Sequence, residues 1–167
     1  MAILYYVIIS AALFVSLGLA TYRNREYKLP VIHVMNVFIL AQVTGLISAR
    51  LFHVFYEQWA VYSEKPELIF EFWSGGYVYY AGIIGGTFAS LLYLKLNKEP
   101  WMPYLNLYIL PVSIGSAIGR WACVMAGCCF GQFCDLPWAV SGRHPTAIYS
   151  FIWELGLFLI LWGLEKS

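Results

Sequence analysis

Arg120 stands in the apolar stretch from Leu105 to Phe130, within the segment SIGSAIGRWACVMAGCCFG. A guanidinium stays charged at any accessible pH. At membrane depth that charge is costly unless it meets a partner or a wet cavity. Its fork of N–H donors matches a phosphate diester bidentately, so an anionic phospholipid headgroup is the ligand the chemistry favours. A buried pair with Glu154 is the structural alternative. Gly119 and Gly127, together with Gly115 and Gly131, imply close backbone approach around the charge.

Three further segments carry polar groups in apolar surroundings. In ISARLFHVFY, Arg50 sits near a span end, where it either snorkels to the interface or clamps a phosphate or carboxylate; His53 is one turn away. In WSGGYVYYAGIIGG, Gly75 and Gly76 break the chain before a helix. Gly82, Gly85 and Gly86 follow at spacings that allow close helix contact. The hydroxyls of Tyr79 and Tyr80 are placed to meet a headgroup or an interfacial belt. In SGRHPTAIYSFIWE, Pro145 suits a helix start, which puts Arg143 and His144 at that helix end and Tyr149 about one turn inside.

The cysteines, Cys123, Cys128, Cys129 and Cys134, form no C-x-x-C pattern, so the usual zinc and redox signals are absent. No metal and no cofactor is expected. A disulfide from Cys128 or Cys129 to Cys134 suits an oxidising face, and Cys123 reads as small apolar packing.

These residues need a membrane scaffold to hold them. The chain has 167 residues, 61% hydrophobic and 11% charged, with mean hydropathy +0.69. Soluble domains carry roughly 25% charged residues. The fold class is therefore all-α, a polytopic integral membrane protein with one membrane domain over residues 1–167. No basic run points to nucleic acid. About 20 apolar residues cross a bilayer as a helix, and that length fits about five times: Ala2–Ala20, Val31–Tyr56, Val78–Leu96, Pro103–Cys129 and Ala147–Leu164. The first has no basic residue before it and reads as a retained helix rather than a leader. The second is long enough to tilt or break near Gly45, and Pro111 should kink the fourth. Arg23, Arg25 and Lys28 follow the first span, and Lys95, Lys98 and Lys166 lie on the same side. The positive-inside rule then puts the N-terminus outside and the C-terminus in the cytoplasm. Arg50, Gly75, Gly76, Arg120 and His144 all fall toward the outer leaflet.

In order along the chain, these segments resemble the prolipoprotein diacylglyceryl transferases. ARLFHVFY resembles the family's arginine-bearing helix end, and SGGYVYYAGIIGG its Gly-Gly, aromatic, His-Gly-Gly element. IGRWACVMAGCCFG resembles the Gly-Arg, Gly-Asn, Asn-Gly-Glu signature. DLPWAV with RHPTAIY resembles the loop and His-Pro, Gln-Leu-Tyr-Glu motif. The likeness covers most of the chain from the second span onward. The family's further C-terminal helices, with a second essential arginine, have no counterpart among these motifs.

The resemblance implies transfer of a diacylglyceryl group from phosphatidylglycerol to the lipobox cysteine of a lipoprotein precursor, in the bacterial inner membrane. It implies Arg120 as the catalytic residue on the phosphate side, with Tyr80 or His144 handling the proton. Arg50, Arg143, Tyr149, Gly75, Gly76, Gly82, Gly119 and Gly127 are its candidate substrate contacts. Tyr80 stands where the family has its proposed base, a histidine. Cys123 and Cys128 stand for the signature's asparagine and glutamate, and Ala147 and Ser150 for the Gln and Glu of the His-Pro motif. Two rival readings use the same residues. One is a catalytically silent lipid-binding or assembly subunit, with a partner membrane chain. The other is a membrane thiol–disulfide oxidoreductase using Cys128, Cys129 and Cys134.

Overall fold

The structure, a computed structural model, describes residues 2–166. Six α-helices are found among them: α1 Ala2–Tyr27, α2 Val31–Phe52, α3 Trp59–Glu64, α4 Tyr79–Leu96, α5 Trp101–Ala126 and α6 Thr146–Lys166. A π-helical turn, His53–Glu57, follows α2, and two 3-10 turns, Pro66–Phe70 and Phe72–Ser74, lead to α4. By length and composition Ile3–Tyr27, Val31–Glu57, Trp101–Ala126 and Thr146–Glu165 can cross a membrane. The third expected span, Val78–Leu96, corresponds to α4, which has 18 residues. Tyr79, Tyr80, Tyr93 and Lys95 dilute its apolar character.

The described helices fall into two compact units, Leu29–Tyr104 and the combination of Met1–Lys28 with Leu105–Ser167. In the contiguous unit α2 and α4 run antiparallel along a seam of small residues. A Cβ on Gly82 would lie 3.2 Å from the Gly45 carbonyl oxygen, and one on Gly86 would lie 2.7 Å from that of Ala41. A turn further on, the Ser90 hydroxyl donates to the Gly86 carbonyl at 2.8 Å. At the far end the Tyr93 hydroxyl meets His33 Nδ1 at 2.8 Å and Asn36 Nδ2 at 2.7 Å. The break expected near Gly45 does not occur. Gly45 instead lies in the close seam with Gly82, and the helical register changes later, in the π turn.

In the discontinuous unit α1 runs antiparallel to α5. Ile9 faces Gly119, and Ala12 and Ser16 face Gly115. The Ser16 hydroxyl donates to the Pro111 carbonyl at 2.9 Å. The helix continues through Pro111. On the other flank Trp121 packs on Phe151 of α6, with ring centroids 5.1 Å apart. The first helix is longer than its apolar run suggests. It extends to Tyr27 because Arg23, expected in a loop, is buried within it. Arg23 pairs with Glu165 of α6 and donates to the Asn106 carbonyl at 2.8 Å. Lys28, at φ +52, then ends the helix ahead of Pro30.

The α2–α4 seam leaves no room for a side chain at Gly86. Replacing Gly86 with valine forces its Cβ into the Ala41 backbone, an overpacking cost of about 1–3 kcal/mol. Thermal unfolding in detergent should show a clear fall in Tm. An unchanged Tm would mean that the two helices are not held at this spacing.

Candidate functional site

The end of α5 brings three cysteines together, and its local geometry explains how. Gly127 adopts φ +64, a left-handed conformation open to glycine without steric cost. Its N–H bonds the Val124 carbonyl at 3.1 Å, and the N–H of Cys128 bonds the Cys123 carbonyl at 3.1 Å. This pair of bonds is a Schellman cap. Such a cap folds the residue two past the helix back against the last turn, so Cys128 returns over Cys123. Cys129, also left-handed at φ +60, completes the group. The sulfurs of Cys123, Cys128 and Cys129 all lie within 4.8 Å of one another, and Cys128 and Cys129 are 3.5 Å apart.

All four cysteines are free thiols. The disulfide expected from Cys128 or Cys129 to Cys134 is not formed. Cys134 instead belongs to the loop beyond, where its N–H bonds the Gly142 carbonyl at 2.9 Å. Sequence reasoning set Cys123 aside as packing. The signal that could have included it is the glycine at the helix end, with cysteines one residue after it and four before.

Arg120 lies six residues before the end of α5, about 9 Å along the axis. It is partly exposed, and its positive charge acts on Cys129. A hydrogen bond from Cys123 is the main influence holding the Cys129 thiol down to about 5, with the Cys128 thiol and Arg120 adding to it against the effect of burial. Burial pushes Cys128 the other way. The start of α6 closes on this turn. The Thr146 hydroxyl donates to the Cys129 carbonyl. Gly131 N–H bonds the His144 carbonyl at 2.8 Å, and His144 N–H bonds that of Gln132 at 3.0 Å. The His144 ring presents Nδ1 to the Tyr149 hydroxyl at 3.4 Å, and that hydroxyl accepts from Trp138 Nε1 at 2.8 Å. Arg143 is exposed and lies over the Phe133 ring at 4.3 Å. Gly119 serves the α1–α5 contact.

In the other unit Arg50 takes an arrangement that is neither of those expected. It is 2% exposed, and its donors are spent on backbone carbonyls. Nε reaches Ile69, Nη1 reaches Gly75 and Gly76, and Nη2 reaches Leu68 and Glu71. The rings of Tyr62 and Tyr77 lie 5.3 and 5.8 Å from the guanidinium carbon. Gly75 and Gly76 have φ +85 and +77, and a Cβ on Gly76 would run into the His53 ring and the guanidinium. Arg50 thus organises the loop before α4 and has no N–H left for an anion in this conformation. Gly82 lies in the α2–α4 seam, and Tyr80, at 73% exposure, stands on the surface at the α4 start.

A match to the family described as prolipoprotein diacylglyceryl transferase runs over residues 2–167. The chain belongs to that family. Among curated relatives named phosphatidylglycerol–prolipoprotein diacylglyceryl transferase, that of Clostridioides difficile is 33% identical over 138 residues. The match takes in 80% of this chain and 55% of the relative. That of Trichormus variabilis is 29% identical over 173 residues, 94% of this chain and 60% of the relative. That of Symbiobacterium thermophilum is 30% identical over 171 residues, 94% and 64% respectively. The chain therefore spans between about half and two thirds of the length of these diacylglyceryl transferases. Gly119 and Arg120 lie in the last two turns of α5, ahead of the cysteine cap.

Two outcomes follow from this geometry. Because its thiol is held down to about 5, Cys129 is largely thiolate at neutral pH and protonates only as pH falls through that value. Iodoacetamide at pH 6.5 should therefore label Cys129 well ahead of Cys128 in reduced, metal-free protein, as read by peptide mass spectrometry. Cys123→Ala removes the main hydrogen bond and should move the Cys129 profile to higher pH. In the other unit, Arg50→Gln strands several carbonyls that now bond a charged donor, each such bond being worth about 1.5–3 kcal/mol. Amide exchange across residues 66–78 should accelerate at least tenfold while α2 and α4 stay protected.

Proposed function

We propose that this chain is a membrane transferase that moves a diacylglyceryl group from phosphatidylglycerol to the cysteine thiol of a lipoprotein precursor. The observation that carries the reading is Arg120. This arginine, which stands where the resemblance puts the family's essential one, lies about 9 Å inside a membrane-spanning helix, with its charge reaching the Cys129 thiol. The chemistry needs a cation there. Breaking the bond between the glyceryl carbon and the phosphate oxygen turns a diester with one negative charge into a monoester that tends toward two. A fixed guanidinium that gains interaction as this charge develops lowers the barrier. The acceptor thiol must also lose its proton. His144, which turns Nδ1 to Tyr149 and leaves Nε2 for a substrate, is the candidate relay, with Tyr80 as the other.

Orientation adds to the reading. In the discontinuous unit the Arg120 end of α5 lies beside the start of α1, opposite Arg23, Arg25 and Lys28. The positive-inside rule places those three in the cytoplasm, and the cysteine cap then faces the outer leaflet of the bacterial inner membrane. An apolar groove on α6, lined by Tyr149, Ile152, Trp153, Gly156, Leu157 and Ile160, has the character an acyl chain requires.

The test uses the full chain in phosphatidylglycerol vesicles with a lipobox peptide. Arg120→Ala should lower turnover by about 100–1,000-fold, the effect of removing one donor from a developing oxyanion. Arg120→Lys should recover part of it, because a point charge replaces a fork. Full activity in Arg120→Ala would overturn the reading.

A further inference from the structure

We propose that Cys123, Cys128 and Cys129 hold a zinc ion whose fourth position takes the acceptor thiol. The inference rests on the transferase reading for the identity of that thiol, and on geometry for the metal. Zinc binds thiolate sulfur at about 2.3 Å in tetrahedral sites, which sets neighbouring sulfurs about 3.8 Å apart. The three sulfurs here lie within 4.8 Å of one another, with those of Cys128 and Cys129 lying 3.5 Å apart. Shifts of a few tenths of an ångström to about one, within the freedom of cysteine χ1, bring them onto one ion. Three protein ligands with an open position are the pattern of catalytic rather than structural zinc. Cys129 is the exposed member of the group, so a peptide thiol can approach from its side. Tyr5 of α1 lies within electrostatic reach of all three thiols.

Charge and placement support the assignment. Three thiolates and a divalent cation sum to one negative charge, and Arg120 lies one turn below Cys123 on the same helix face. The guanidinium balances the metal centre and stays close enough to meet the lipid phosphate. The backbone around the ligands is fixed before any ion arrives. The Schellman bonds set Cys123 against Cys128, and the Thr146 hydroxyl ties down the Cys129 carbonyl. Soft sulfur ligands select zinc or copper(I), and a two-electron substitution with no redox change calls for zinc. A zinc-bound thiol is deprotonated outright, which supplies the nucleophile that Tyr80, in place of the family's histidine, is poorly suited to generate.

The step balances. The acceptor R–SH enters as the fourth ligand and its proton leaves to solvent or His144. The sulfur lone pair attacks the glyceryl CH2 attached to the phosphate oxygen. The S–C bond forms as the C–O bond breaks, and glycerol phosphate leaves with the electron pair beside Arg120. The thioether product, a weaker ligand than thiolate, departs and reopens the position.

Cobalt(II) reports on such a site without relying on activity. Reduced, chelator-treated full chain in nanodiscs should take up one cobalt per chain, giving thiolate charge-transfer bands and tetrahedral d–d bands. Zinc should displace it stoichiometrically. Cys123→Ser, Cys128→Ser and Cys129→Ser should each weaken zinc binding by more than the roughly 10–100-fold that follows loss of an outer-shell partner. Cys134→Ser should bind as the parent does. A lipobox peptide should shift the d–d bands, and its Cys→Ser version should not. Absence of stoichiometric cobalt or zinc, or full transfer activity in the triple Cys→Ser variant, overturns the metal site. Metal uptake with no response to the peptide thiol overturns the acceptor role. These failures are separable from failure of the transferase reading, which is judged by Arg120→Ala.

Discussion

A backbone carbonyl or N–H left without a partner in hydrocarbon costs several kcal/mol. Both units are organised around avoiding that cost where helices end. At the end of α5 the left-handed turn at Gly127 closes two backbone bonds over the last turn, and the side chains of Cys123 and Cys128 are carried together as a result. Before α4 the chain runs through 3-10 turns whose carbonyls point inward, and Arg50 supplies the donors. One site is closed by backbone alone and the other by a buried cation. In each case the position of the thiols or of the loop is a by-product of satisfying the main chain.

The two arginines separate on this account. Both stand in apolar helices, and from the sequence either could meet an anion. Arg50 is enclosed, with carbonyls on every donor and tyrosine rings beside it, so its charge is neutralised by dipoles and shapes a loop. Arg120 is partly exposed, and its field reaches a thiol. Small residues make both placements possible. Gly45, Gly82 and Gly86 let α2 and α4 approach closely enough to hold Arg50 inside, and Gly115 and Gly119 do the same for α1 against the helix that carries Arg120.

Much of the fold is legible in the sequence because hydropathy reports helix length directly. The spans of α2, α4, α5 and α6 lie within a few residues of their apolar runs. The misjudged boundary, the end of α1, lies where a polar residue, Arg23, is paired inside the protein, which no local pattern reveals. In the candidate site the sequence points to Arg120 through the cost of its charge, and the chain break at Gly75 and Gly76 is legible through their backbone freedom, both having positive φ. The site was not legible at the cysteines, since the thiols meet through a cap geometry rather than a spacing familiar from metal or redox motifs. Nor could the number of carbonyls around Arg50 be read, because they come from a loop without periodicity.

The pairing of α1 with α5 and α6 also has a consequence in time. Residues 29–104 form a continuous stretch, so α2 and α4 can pack as soon as they leave the ribosome. The helix that precedes them must wait for partners that begin at Leu105. At about 5–20 residues per second that delay is roughly 4–15 s. During it the small-residue face of α1 and the buried charge of Arg23 have only lipid, water or the insertion machinery to meet. Assembly of this unit therefore depends on holding α1 unpaired until α5 has been made.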